Sequence, residues 1–148
     1  MSTTSKTDTF TDDERAAMKE RAAELRAQSG RGGNAAKAAE LEAQVLAKIA
    51  EMPDHDRVIA ERIHAIVRTE APELTPRTWY GMPAYAKDGK VLCFFKAAAK
   101  FTTRYAILGF EEPAALDDGP MWPTAYAVTE LTDEVEKAIA ALVRRAVA

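Results

Sequence analysis

No second cysteine accompanies Cys93 in the 148 residues, so no internal disulfide forms, and nothing in the composition suggests a secreted, stapled scaffold. That usage points to the reducing cytosol. No stretch of 18 apolar residues occurs, which excludes a helical membrane span, and the Ser/Thr-rich opening Met1–Thr9 lacks the apolar run of a signal peptide. Cationic excess is missing as well. Twenty Lys and Arg stand against 23 Asp and Glu, a net charge of -3, so the domain as a whole does not attract phosphate backbones and nucleic acid is disfavoured as a partner. The marks of enzyme chemistry are absent too: no Gly-rich phosphate loop after a strand, no His-Glu-x-x-His, no Cys pair, and no nucleophile written beside a base. Catalysis therefore finds little support in the residues.

What is present is one domain with a real core, 47% hydrophobic and 29% charged. Ten of the eleven aromatic residues lie between Trp79 and Tyr126, with only Phe10 outside, so helix-type composition flanks a strand-type centre. Residues 1–33 read as a flexible N-terminus with a peripheral helix, and residues 34–148 as the domain proper. Thr11 with Glu14 is a capping-box pattern that opens a helix to about Gln28. Its apolar stripe, Met18, Ala22 and Leu25, is thin, which predicts a helix that lies loosely on the domain or stands free, or that docks on a protein partner or a second copy. Ser29–Gly33 breaks it. Leu41, Val45, Ile49 and Met52 mark one face of a second helix, ended by Pro53, and Ile59, Ile63, Ile66 and Val67 mark a third, with Asp54 as its expected N-cap.

After the two prolines of residues 71–76 the period shifts toward two. Asp88-Gly89 between Ala84-Tyr85-Ala86 and Val91–Phe95 is the strongest hairpin signal in the chain. A regular two-residue turn would pair Tyr85 with Leu92 and place Tyr85, Lys87, Lys90, Leu92, Phe94 and Lys96 on one face. Further strands are expected at Thr102–Leu108 and Ala125–Thr129. A last helix follows the N-cap Thr132, with Val135, Ile139, Leu142 and Val143 inward. The fold class expected is α+β, an antiparallel sheet of four to five strands packed by N- and C-terminal helices.

Trp79-Tyr80-Gly81-Met82-Pro83-Ala84-Tyr85, followed by Gly89-Lys90-Val91-Leu92-Cys93-Phe94-Phe95, resembles the signature of the YdhG-like family, also called the domain-of-unknown-function 1801 family. Its usual pattern is Tyr-Gly-Met-Pro-x-Tyr, a turn, Gly-Lys and an aromatic strand, and the resemblance covers roughly residues 45–147. It implies a frataxin-like fold, and a Bacillus relative is described as an intracellular iron chaperone. The family motif contains no recognised iron ligands. Where relatives carry Lys-Gly and a Phe-Pro strand, this chain has Asp117-Asp118-Gly119-Pro120-Met121-Trp122-Pro123.

Three functions follow as expectations. The first is a cytosolic iron-chaperone-like protein that holds labile iron weakly on the paired carboxylates Glu111, Glu112, Asp117 and Asp118, because hard cations take oxygen ligands. The second is a small-ligand site on the aromatic hairpin face, walled by Trp79, Tyr80, Met82, Tyr85, Phe94 and Trp122, with Lys96 and Arg104 contacting an anion. The third is an interaction module using the N-terminal helix. The histidines contribute little to a metal reading: His64 reads as exposed with Glu61, and His55 as a surface residue at a helix start.

Overall fold

The computed structural model describes residues 10–28 and 34–148. The readings of Met1–Thr9 and of the helix break at Ser29–Gly33 lie outside the described residues. Three helices come first, α1 (Asp12–Gln28), α2 (Asn34–Ala50) and α3 (Asp54–Glu70). The strands β1 (Thr75–Trp79), β2 (Met82–Lys87) and β3 (Lys90–Lys96) follow, then a short helix α4 (Ala98–Phe101), β4 (Ala106–Phe110), β5 (Ala125–Val128) and the closing helix α5 (Asp133–Ala146). The class is α+β, with all five strands antiparallel in the order β1-β2-β3-β4-β5. No helix among the described residues is long and apolar enough to cross a membrane.

The core lies between one sheet face and α2, α3 and α5. Val45 and Ile49 of α2, Ile59, Ile63, Ile66 and Val67 of α3, and Ile139 and Val143 of α5 are buried there, as their spacing requires. They meet Tyr85, Cys93, Phe95, Leu108 and Phe110 of the sheet. Burial pushes the Cys93 thiol up to about 12, so it stays protonated and inert.

Four local expectations are corrected. β2 and β3 pair Ala86 with Val91 but Tyr85 with Cys93, so Leu92 is an extra residue on β3, a β-bulge. From that point the register slips by one, and Tyr85 turns to the helices rather than sharing a face with Phe94 and Lys96. Thr102 to Tyr105 is not strand: α4 occupies Ala98–Phe101, Thr102 ends it in the left-handed conformation at φ 53°, and β4 begins only at Ala106. Pro53, not Asp54, stands at the N-cap of α3, while Asp54 pairs with Arg57 at 3.1 Å. His64 is buried, at 8% exposure.

The N-terminal helix does not lie loosely. Met18, Ala22 and Leu25 face solvent, and the inward side carries Ala17, Glu20, Arg21, Glu24 and Gln28. This is a polar docking face. Glu24 accepts the backbone N–H groups of Tyr80 and Gly81, both at 2.8 Å, Glu20 bridges Lys48 of α2 and Lys100 of α4, and the Gln28 amide donates to the Thr78 carbonyl at 3.0 Å. The expected capping box at Thr11 and Glu14 starts the helix, with both reciprocal bonds at 3.0 Å.

Candidate functional site

The turn that builds the site is the one between β1 and β2. Tyr80 at φ 55° and Gly81 at φ 76° form a two-residue hairpin loop, closed by the Trp79–Met82 pair. Tyr80 adopts a backbone that non-glycine residues rarely take, and the Glu24 carboxylate holds it there through the two N–H groups. At Gly81 a Cβ would run into the Glu20 carboxylate, so a larger residue here would have to push that carboxylate off Lys48 and Lys100 and would also strain the φ of 76°.

On the sheet face away from the core, Arg77, Ala84, Phe94, Gly109 and Ala125 lie in one row across the five strands. The small residues matter. A Cβ at Gly109 would strike the Phe94 ring, so the missing side chain lets that ring lie flat across β4. The Trp79 ring packs against Phe94 at 5.3 Å between centroids and edge-on against Tyr80 at 5.1 Å, which fixes all three.

Between this aromatic cluster and α1 lies an open cleft of about 440 Å³. Its sheet wall is Tyr80, Met82, Phe94 and Lys96, and its helix wall is Phe10, Glu14, Ala17 and Met18, with Phe101 of α4 at one end. The Lys96 ammonium sits 5.0 Å from the centre of the Phe101 ring and has no carboxylate within ion-pair distance among the described residues. Glu14, the one acid in the lining, has an oxygen engaged by the Thr11 N–H. The cleft is thus apolar and aromatic with a single uncompensated cation.

Four of the eight expected ligand residues, Tyr80, Met82, Phe94 and Lys96, therefore meet in one cleft, and Trp79 backs them. The other three are elsewhere. Tyr85 is in the core, Trp122 packs against the core from outside it, and the Arg104 guanidinium lies over the Tyr105 ring at 4.9 Å in an exposed loop. Phe10, Met18 and Phe101 complete the cleft, although no periodicity linked them to the hairpin. Phe10 was the single aromatic residue outside the strand region, and that isolation was the available signal.

The core holds a second polar constellation. The Tyr85 hydroxyl is 2.8 Å from His64 Nδ1, His64 Nε2 is 3.0 Å from a Glu42 oxygen, and Arg68 Nε is 3.3 Å from that same oxygen. The line runs from the half-buried Glu42 and Arg68 to a hydroxyl with 1% exposure. Burial, helped by Cys93 and Glu42 and opposed by Arg68, holds the Tyr85 hydroxyl well above the usual tyrosine range. Through these bonds the hydroxyl joins α2, α3 and β2.

Glu111, Glu112, Asp117 and Asp118 are all exposed, and among the described residues no three or more His, Cys, Asp or Glu side chains come together as a metal-binding group. No family model, curated protein or solved structure matches the chain.

Proposed function

We propose that this protein is a small-ligand binding domain whose cleft takes an anion with an apolar or aromatic body. The observation that carries the reading is Lys96: an ammonium with no acidic partner among the described residues, half-buried among Phe94, Phe101, Met82 and Tyr80. An unpaired cation beside aromatic rings gains from a carboxylate or sulfonate, while the body of the ligand covers Phe94 and Met82 and excludes water. The cleft volume suits a ligand of one or two rings.

The test uses anilinonaphthalene sulfonate, an anionic two-ring fluorophore. Its emission is expected to rise on binding to the native protein. Lys96→Met, which keeps the wall and removes the charge, should weaken binding about tenfold, and Phe94→Ala should weaken it at least as much. Equal affinity for the wild type and both variants would place the dye elsewhere and remove the reading.

The family resemblance supports a second reading, labile iron on the acidic loop. Glu111, Glu112, Asp117 and Asp118 are exposed and take part in no ion pair among the described residues, which leaves their oxygens available to a hard, rapidly exchanging cation. Calorimetric titration of ferrous iron into the protein under anaerobic conditions should then give heat that disappears when the four are replaced by Asn and Gln. Dilution heat alone for the wild type would end this reading.

A further inference from the structure

The Lys96 cleft takes its walls from three separate parts of the chain: Tyr80 and Lys96 belong to the sheet and its first turn, Phe10 and Met18 to α1 and the residues leading into it, and Phe101 to α4. Polar bonds made by α1 tie the three together. Asp13, Ala17, Glu20, Glu24 and Gln28, at steps of four, three, four and four, share one face of the helix. From that face Glu24 takes the N–H groups of Tyr80 and Gly81, both at 2.8 Å, which sets the turn against the helix. Glu20 engages the Lys100 ammonium and Asp13 accepts from the Thr102 hydroxyl at 2.5 Å, so Phe101 is held through the residue on either side of it. None of these three carboxylates lines the cleft.

The helix itself gains little from apolar burial. Ala17 is its one buried apolar side chain among the described residues, so the polar bonds decide how firmly it sits. Phe10 and Met18, 50% and 39% exposed, both line the cleft. A ligand body lying there takes these two side chains out of water only while α1 is docked, and a side chain already buried would gain nothing. The ligand therefore favours the docked helix over the lifted one, which is the differential affinity that a shift between two states requires.

Given the ligand site proposed for the cleft, we propose that α1 is its displaceable wall: the site is complete only while the helix is docked, and an anionic aromatic ligand in turn holds the helix down. Glu24 is then a positioning residue for ligand binding, because one carboxylate fixes both Tyr80 and α1. The coupling is reciprocal. The factor by which lifting α1 weakens the ligand equals the factor by which the bound ligand suppresses lifting.

The experiment measures amide exchange of the full chain with and without saturating anilinonaphthalene sulfonate. At the α1 amides that Glu24→Ala accelerates, the dye is expected to slow wild-type exchange about tenfold, whereas a ligand indifferent to α1 would slow only amides that exchange by global unfolding. Glu24→Ala should weaken dye binding by the same factor, and Glu24→Gln, whose amide oxygen still accepts an N–H, should fall between. Glu70→Gln, which removes an ion pair to Arg144 outside the cleft, should leave dye affinity unchanged. Dye binding that depends on Lys96 and Phe94 but leaves α1 exchange unaltered, or that is equally tight in Glu24→Ala, overturns the proposal and leaves the cleft in place. Binding indifferent to Lys96 and Phe94 removes the site and its movable wall together.

Discussion

Replacing Tyr85 by Phe is expected to destabilise the protein by about 1–3 kcal/mol, although the change removes one oxygen and opens almost no cavity. The cost arises on the other side of the bond. His64 Nδ1 loses the partner it holds at 2.8 Å on a side chain whose residue is only 8% exposed. His64→Leu alone should cost a similar amount, since it strands the buried hydroxyl instead. The double variant should be more stable than the sum of the two losses, because both orphans are then gone and Leu fills much of the imidazole volume. Urea unfolding of the four proteins measures this, and strictly additive losses would mean that the pair does not act as a unit.

The same hydroxyl gives an alkaline signature. A tyrosine whose folded value is raised binds its proton more tightly in the native state, so its contribution is fully present below the unfolded value of 10.0 and is lost as pH rises above it. Cys93 acts in the same direction, from 9.0 in the unfolded chain to about 12 when buried. Stability should therefore fall from about pH 9 upward, and Tyr85→Phe should make the fall shallower.

Glu24→Ala is expected to release α1 while leaving the rest of the fold intact. The carboxylate satisfies two backbone N–H groups, one of them fully buried, in charge-assisted bonds worth about 1.5–3 kcal/mol each. The measured loss will be smaller than their sum. Once α1 lifts, water reaches Tyr80 and Gly81, so the cost saturates at the free energy of docking one helix whose larger apolar residues, Met18 and Leu25, already face solvent. Amide exchange should accelerate about tenfold or more across Asp12–Gln28 and stay slow in α3 and β3. Uniform acceleration over the whole chain would show instead that α1 unfolds only with the domain.

Acid should loosen the same contact through Glu20. Burial alone would raise its carboxyl, but the hydrogen bonds and charges of Lys100 and Lys48 outweigh burial and hold it below 4.5. A lowered carboxylate contributes stability that is present above its unfolded value and is lost as pH falls through the folded one, so the weakening begins below about pH 4.5. Glu20→Gln should abolish that acid dependence of α1 exchange.

The helices of the core were legible because a four-four-three spacing of apolar residues has one physical reading. Val45, Ile49, Ile59, Ile63 and Val67 all point inward. The Asp88-Gly89 turn was legible for a similar reason, since both residues tolerate the positive φ seen there, 52° and 81°. The register beyond it was not, because the bulge at Leu92 depends on how β3 meets its neighbour on the other side, where the N–H of Glu111, just past β4, donates to the Leu92 carbonyl. Nor could spacing reveal how α1 docks. Its contacts are carboxylates seated on backbone N–H groups 56 and 57 residues away, and hydrophobic pattern is blind to those. His64 was misplaced on the same grounds: its partners, 21 and 22 residues distant on other elements, decide its burial. In the cleft, the hairpin residues were readable as a group, while Phe10 and Phe101 joined them only through the docking of α1 and the insertion of α4.

The strand order has a consequence for synthesis on the ribosome. Each strand pairs with the one made just before it, so the sheet can lengthen stepwise as the chain emerges, with little search among distant partners. The last helix breaks that rule. It returns to α3, where Arg144 meets Glu70 at 2.8 Å across 74 residues, and until it arrives the greasy flank around Ile66 has no cover. The nascent protein is thus most exposed to wrong associations in the interval between finishing β5 and releasing its final turn.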